Sequence, residues 1–558
     1  MRNVCSLGFD SIKKKKLHIA KDHWVYAVVV GFILFLAAFT RLWQLGSLPV
    51  GLTWDEAALG YIGQMVVTTG MDEHFDRLPI VFQSFGDYKA PLAMYITGIF
   101  TASMGLHVWV VRLPYALAGI ASIALMMWIV WQLTNHKWYA ILAGWLMVIA
   151  PWHILFSRVA FESGLALLFV LAILAGWLEV RNAQNSQKTR LFWWAIIVIN
   201  TVASIYVYHS TKLVVPLLLA TIGGYELVTR WTYWRQQWRT VGIAALSTGV
   251  LLLPFVLTVL NGTGLARASQ TTVFAQNEFV PAMGMFLSNF AQYFSVDFLA
   301  QGATDSLRHS TGARGVFLWS HLLLLVLGVT FGLARPVEKW AHPKQKSWQQ
   351  ALHKLFPHKK SPVMLTTPVW LWILFLIIGL LPAAIGVETP HPNRALLALP
   401  AFIVLMVSGA RELQREFKPQ LFVSILSGIL LLSIIEWASF WQVYRTEYRA
   451  QSAAAWMEGY EEAVLLTHSY IADNKRTKFT SAYGEPEIFF AFYNQVPFHT
   501  YREFRIPGSV QFGTVSILDT NQYDVVIAPG DTPLEGLEPV QTIYRSDESV
   551  AFYVYETR

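Results

Sequence analysis

The stretch between Gly51 and Tyr95 carries the residue types that could do chemistry. Asp55 and Glu56 are adjacent carboxylates just after an apolar segment, and Asp87-Tyr88-Lys89 follows before Ala90-Pro91. A carboxylate within reach of a hydroxyl can act as a general base. A lysine can meet a phosphate as a point charge. Further mixed clusters occur at Arg158/Glu162, His209/Lys212 and His391/Arg394. Plainer readings stand beside each. Arg158 and Glu162 have the spacing of a helical ion pair. His209 reads equally as a satisfied interface histidine, and Asp72, Glu73 and Asp76 read as a solvated loop face. Asp55 has the type of an N-cap for a helix beginning at Glu56.

The elements that must position these residues are apolar. Of 558 residues, 54% are hydrophobic and 14% charged, with mean hydropathy +0.42. That is the profile of a membrane protein. The 23 tryptophans suit rings at two membrane interfaces. The net charge of +7 does not point to nucleic acid, because the positives gather in short loops between apolar runs. Cys5 is the single cysteine, which excludes an intrachain disulfide. Lys13 to Lys16 precede an apolar run too long for a signal peptide, so residues 1–23 are expected in the cytoplasm.

At roughly 20 apolar residues per span, about eleven spans are expected. They are 24–40, 111–133, 139–156, 164–180, 191–208, 213–228, 241–260, 316–333, 368–385, 395–410 and 421–441. Residues 91–104 are apolar but short, which suits a helix lying in or dipping into the interface. The alternation of spans puts loops 46–110 and 261–315 outside, and Met283 to Phe298 reads as an interfacial helix in the second. Arg41 is expected to snorkel at the outer face. Basic residues from Arg335 to Lys360 fall inside. From residue 442 to 558 short alternating runs appear: 479–483, 523–527 and 550–555 as strands, and 448–474 as a helix. The expected fold is thus a polytopic α-helical membrane domain, 24–441, with a small extracytoplasmic α/β domain.

Trp54-Asp55-Glu56 after the first span, Tyr88-Lys89-Ala90-Pro91-Leu92 in the same loop and Arg112-Leu113-Pro114 opening the second span resemble the GT-C glycosyltransferases. Within them the chain resembles the branch of protein O-mannosyltransferases and lipid A aminoarabinose transferases. Ser157-Arg158 with Glu162, and Pro390-His391-Pro392-Asn393-Arg394, resemble later motifs of that branch. The resemblance covers residues 24–410. It implies transfer of a sugar from a polyprenyl-phosphate carrier to a hydroxyl of protein, lipid or glycan on the outer face of the cytoplasmic membrane. By position it makes Asp55 the essential loop acid, sets Glu162 where an aspartate is usual, and brings Lys89 to the donor phosphate. Glu56 joins the catalytic candidates. Arg158, His391 and Arg394 join the phosphate-binding ones, with Asp87, His209 and Lys212 secondary. Relatives often have Glu-Lys-Pro-Pro where this chain has Tyr-Lys-Ala-Pro. The absent glutamate removes a metal ligand, and Asp87 is displaced by one position, so a divalent metal cofactor stays an open question.

Two other functions compete. A transporter or flippase of lipid-linked sugars predicts mid-membrane charges and two-half symmetry, and the polar clusters instead sit at span ends. A surface-polysaccharide ligase or polymerase would share the chemistry with another acceptor.

Overall fold

The computed structural model describes residues 3–264, 271–302, 306–340, 366–504, 506 and 508–557. The expected inner basic run from Lys344 to Lys360 lies outside them. Among the described residues eight helices are long and apolar enough to cross a membrane. They are His23–Leu42, Val108–Thr134, Glu162–Val180, Gln187–Val207, Thr211–Gln236, Trp238–Leu260, Pro392–Glu416 and Pro419–Gln451. Three of the eleven expected spans are shorter apolar helices here: Lys137–Ile149, Trp319–Phe331 and Val369–Ile385. The protein is a multi-pass membrane protein. In order, α1 is Asn3–Leu42, α2 Trp54–Thr69, α3 Pro91–Met104, α4 Val108–Thr134 and α5 Lys137–Ile149. Next come α6 Pro151–Phe156, α7 Glu162–Val180, α8 Gln187–Val207, α9 Thr211–Gln236 and α10 Trp238–Leu260.

The expected single span 139–156 is two helices. Ala150 is extended (ψ 121°) and Pro151 opens α6, because proline suits a first helical turn but not the interior of a helix. Arg41 does not snorkel. It is fully buried and donates to the Met147 and Val148 carbonyls at 3.3 and 2.8 Å, with His153 Nδ1 2.7 Å away. These carbonyls belong to the last turn of α5, which lacks intrahelical donors, so a cation there is stabilising. The start of Trp319–Trp340 is satisfied likewise: Glu436 accepts from the Trp319 and Ser320 N–H groups at 3.1 and 3.0 Å.

The first polar loop is built rather than irregular. It contains α2, a two-stranded hairpin (β1, Phe82–Ser84; β2, Asp87–Lys89) and α3. α2 opens with a capping box: the Glu56 N–H donates to Thr53 Oγ1 and the Thr53 N–H to Glu56 Oε2. α2 and α3 approach backbone to backbone, since a Cβ on Gly98 would run into the Gly63 carbonyl. Thr101 Oγ1 also donates to the Gly60 carbonyl across this contact. In the second loop the expected helix 283–298 is displaced. The helix is Phe279–Gln292, followed by a π-helical turn at Asp297–Gln301. α10 is the helix the protein covers least, with 0% of its apolar window buried.

The last span continues beyond its apolar run as one helix, Pro419–Gln451, and the expected helix 448–474 is broken. Met457 (φ 58°) and Gly459 (φ 101°) turn the chain before the helix Tyr460–Ala472. The C-terminal sheet has five strands in the order β4-β3-β5-β7-β6. β3 (Thr477–Thr480) is parallel to β4 (Val510–Gly513) and β5 (Val525–Pro529). β7 (Val550–Glu556) runs antiparallel to β5 and β6 (Gln541–Tyr544). This unit sits on α2. Tyr61 Oη donates to the Val496 carbonyl at 2.6 Å, and Arg502 donates to the Asp72 and Met71 carbonyls at 3.0 and 2.6 Å. Gly51 (φ 73°) lets the Trp456 backbone approach where a Cβ would collide.

Candidate active site

Asp55 is the second residue of α2. Thr53 already caps the helix, so Asp55 is not the N-cap and its carboxylate points elsewhere. The hairpin delivers its partner. Its two loop residues, Phe85 (φ 54°) and Gly86 (φ 71°), both have positive φ, as a type I′ turn requires. Lys89 ends β2 and forms an ion pair with Asp55, while its ammonium lies 4.8 Å from the Phe85 ring. Lys89 is 7% exposed and Asp55 46%. A buried lysine thus holds an open carboxylate, which can still reach a second molecule.

Glu56, one residue on, is the reverse. It is fully buried and accepts from Arg112 Nε (2.9 Å), Arg112 Nη2 (3.0 Å), the Thr53 N–H (3.2 Å) and the Ala160 N–H (3.0 Å). A carboxylate offers about four lone-pair directions, and all are used. Its place is structural, not facing a hydroxyl. It joins the start of α2 to Ala160, two residues before Glu162, the first residue of α7. Glu162 is partly exposed there. Arg158 is likewise spent on structure: fully buried, it donates to the carbonyls of Thr40 (2.7 Å), Trp43 (2.7 Å) and Leu48 (2.8 Å) and to Tyr444 Oη (3.1 Å). It ties the α1 end to the last span and is not placed to bind a phosphate.

The secondary pair His209/Lys212 does join Lys89. All three line one pocket with Pro91, Ile205 and Phe255. Lys212 Nζ donates to the Gly264 carbonyl at 2.9 Å and lies 3.2 Å from His209 Nδ1. Asp87 accepts from the Tyr88 N–H inside the hairpin turn. His391 and Arg394 form a second cluster. Arg394 Nη2 is 3.3 Å from Glu388, and the His391 ring lies 4.4 Å from His309. Among the described residues no group of three or more His, Cys, Asp or Glu side chains comes together to hold a metal.

Sequence reading missed Arg308 and His309. Arg308 lies 4.7 Å over the Trp54 ring. Burial lowers its pKa, and the charges of Asp55 and Glu56 oppose that shift. Burial, then Arg308 and Arg394, hold the His309 imidazole down to about 4, so it is neutral at physiological pH.

Residues 31–263 match the family model of dolichyl-phosphate-mannose-protein mannosyltransferase. The chain is also similar to ArnT from Cupriavidus metallidurans in the apo state, with TM-score 0.53 and 16% identity over 97% of this chain and 98% of that one. The chain shares the fold of this ArnT. The same ArnT bound to undecaprenyl phosphate aligns with TM-score 0.50 and 15% identity, covering 96% and 98% of the two chains. No curated protein matches this chain by sequence. The family match spans the segments that carry Asp55, Lys89, Glu162 and Lys212, and it ends before Arg308 and Arg394.

Proposed function

We propose that this protein is a GT-C glycosyltransferase that takes its sugar from a polyprenyl-phosphate carrier and passes it to an acceptor hydroxyl on the outer face of the membrane, with Asp55 as base. The observation that carries the reading is the half-exposed Asp55 carboxylate paired with buried Lys89, which itself lines the pocket shared with His209 and Lys212. The undecaprenyl phosphate bound by ArnT supports the donor class. In the reaction Asp55 takes the proton of the hydroxyl as its oxygen bonds the anomeric carbon. The bond from that carbon to the phosphate oxygen breaks, and its electron pair leaves with the phosphate. Lys89 and Lys212 then face a growing negative charge, in a setting where ammonium groups act more strongly than in water. An apolar wall of Pro91, Ile205 and Phe255 suits the first isoprene units.

Asp55→Asn tests it, because Thr53 keeps α2 capped in the variant. The variant is expected in the membrane in normal amounts, with transfer at least about a hundredfold slower, the scale of a lost acid–base group. Transfer from a radiolabelled polyprenyl-phosphate sugar measures it. Near-normal transfer by a folded variant would end the assignment and move attention to Glu162.

A further inference from the structure

Arg308 belongs to no recognised motif, yet it touches three parts of the molecule at once. It rises from the second outer loop. Its guanidinium covers the ring of Trp54, the residue before Asp55, at 4.7 Å. Its Nε donates to the Ala455 carbonyl at 2.6 Å, in the turn that joins the last span to the C-terminal sheet. It also lies within electrostatic reach of Asp55 and Glu56.

From this placement we infer that Arg308 is a positioning residue: it fixes the first turn of α2 through Trp54 and supplies Asp55 with a second cation. The inference rests on the proposed role of Asp55. Among the described residues the charged groups around that carboxylate include Lys89 from β2, Arg308 from the second loop and Glu56 on α2, the last already paired with Arg112 of α4. Lys89 is the nearest, but a donor phosphate competes for the same ammonium. Once Lys89 turns toward the phosphate, Asp55 would lose the partner that keeps it ionised. Arg308 is held by Trp54 and Ala455, and it stays. It therefore keeps Asp55 a carboxylate during donor binding, when the base must accept a proton. A nearby opposite charge favours the ionised acid, so the consequence is read in pH.

The experiment is the pH–rate profile of transfer by the full chain with a polyprenyl-phosphate sugar, for wild type, R308Q, R308M and R308K. In the neutral variants the acid limb should move up by about one pH unit, the low end for a lost opposite charge. R308K keeps the charge and should hold the wild-type limb even if its maximal rate falls. An unshifted limb in either folded neutral variant overturns the inference. So does a limb in R308K that moves up by about one pH unit from wild type, a reading that does not need the neutral variants to fold. If D55N is as active as wild type, the proposed function has failed instead. A D55N variant without activity together with an unshifted R308Q limb fails only this inference.

Discussion

At the scale of residues, two adjacent carboxylates divide their work by surroundings. Asp55 keeps an open face toward solvent, whereas Glu56 is consumed by four donors. Glu56→Ala would strand the buried Arg112, and breaking a buried pair by removing one partner costs about 3–5 kcal/mol. The expected outcome is therefore a sharp fall in thermal stability and in the amount reaching the membrane, measured by fluorescence-detected melting. Asp55→Asn should melt close to wild type. Equal melting of Glu56→Ala and wild type would refute the structural reading of Glu56. The Asp55 and Lys89 pair was legible in the sequence because residue type and local motif mark it. The distinction between Asp55 and Glu56 was not, because it depends on Arg112 and Ala160 arriving from 56 and 104 residues away. One local signal was present and overlooked: Thr53 and Glu56 have capping-box spacing, which places the helix start one residue before Asp55. Arg308 carries no such signal, since an arginine in a loop acquires meaning only from what it is folded against.

At the scale of elements, the distance from Asp55 to Lys89 is set by how closely α2 and α3 lie. Asp55 stands at the start of α2, and Lys89 two residues before α3. Glycines 63 and 98 let these helices touch through their backbones. Gly98→Ala must push them apart, at about 1–3 kcal/mol for overpacking. Transfer is expected to drop by at least about tenfold, because an offset of 1 Å at reacting groups is already severe. Gly223→Ala on α9, where nothing lies within 4 Å, is the matched control and should keep wild-type transfer. Equal activities in the two variants would show that the helix contact does not set the site. Hydropathy located the spanning helices well because periodicity and length are local properties. It merged α5 and α6, whose break needs Pro151 to be weighed against an uninterrupted apolar run.

At the scale of the whole molecule, the C-terminal sheet and the membrane helices share one site. Tyr61, Trp54 and Gly51 on one side meet Val496, Gly484 and Trp456 on the other. The two must lie on the same side of the bilayer, and the lysine run before the first span leads to the expectation that this side is outside. A reporter active only in the cytoplasm, fused to the C-terminus, is expected to stay silent. A strong signal would invert the arrangement.

α10 has a separate consequence. No residue in its apolar window is fully buried, so one face of the helix is left to acyl chains. Its C-terminal end nevertheless helps wall the pocket: Phe255 lines it, its ring lies 4.9 Å from the Lys212 ammonium, and its N–H donates to the Tyr206 hydroxyl at 3.1 Å. A helix in lipid tilts to match the hydrocarbon thickness around it. A tilt of α10 would shift Phe255 relative to Lys212, so transfer is expected to depend on bilayer thickness. Reconstituted in lipids of graded acyl length, the protein should transfer sugar fastest at one thickness and lose rate on either side, and Phe255→Ala should flatten that maximum.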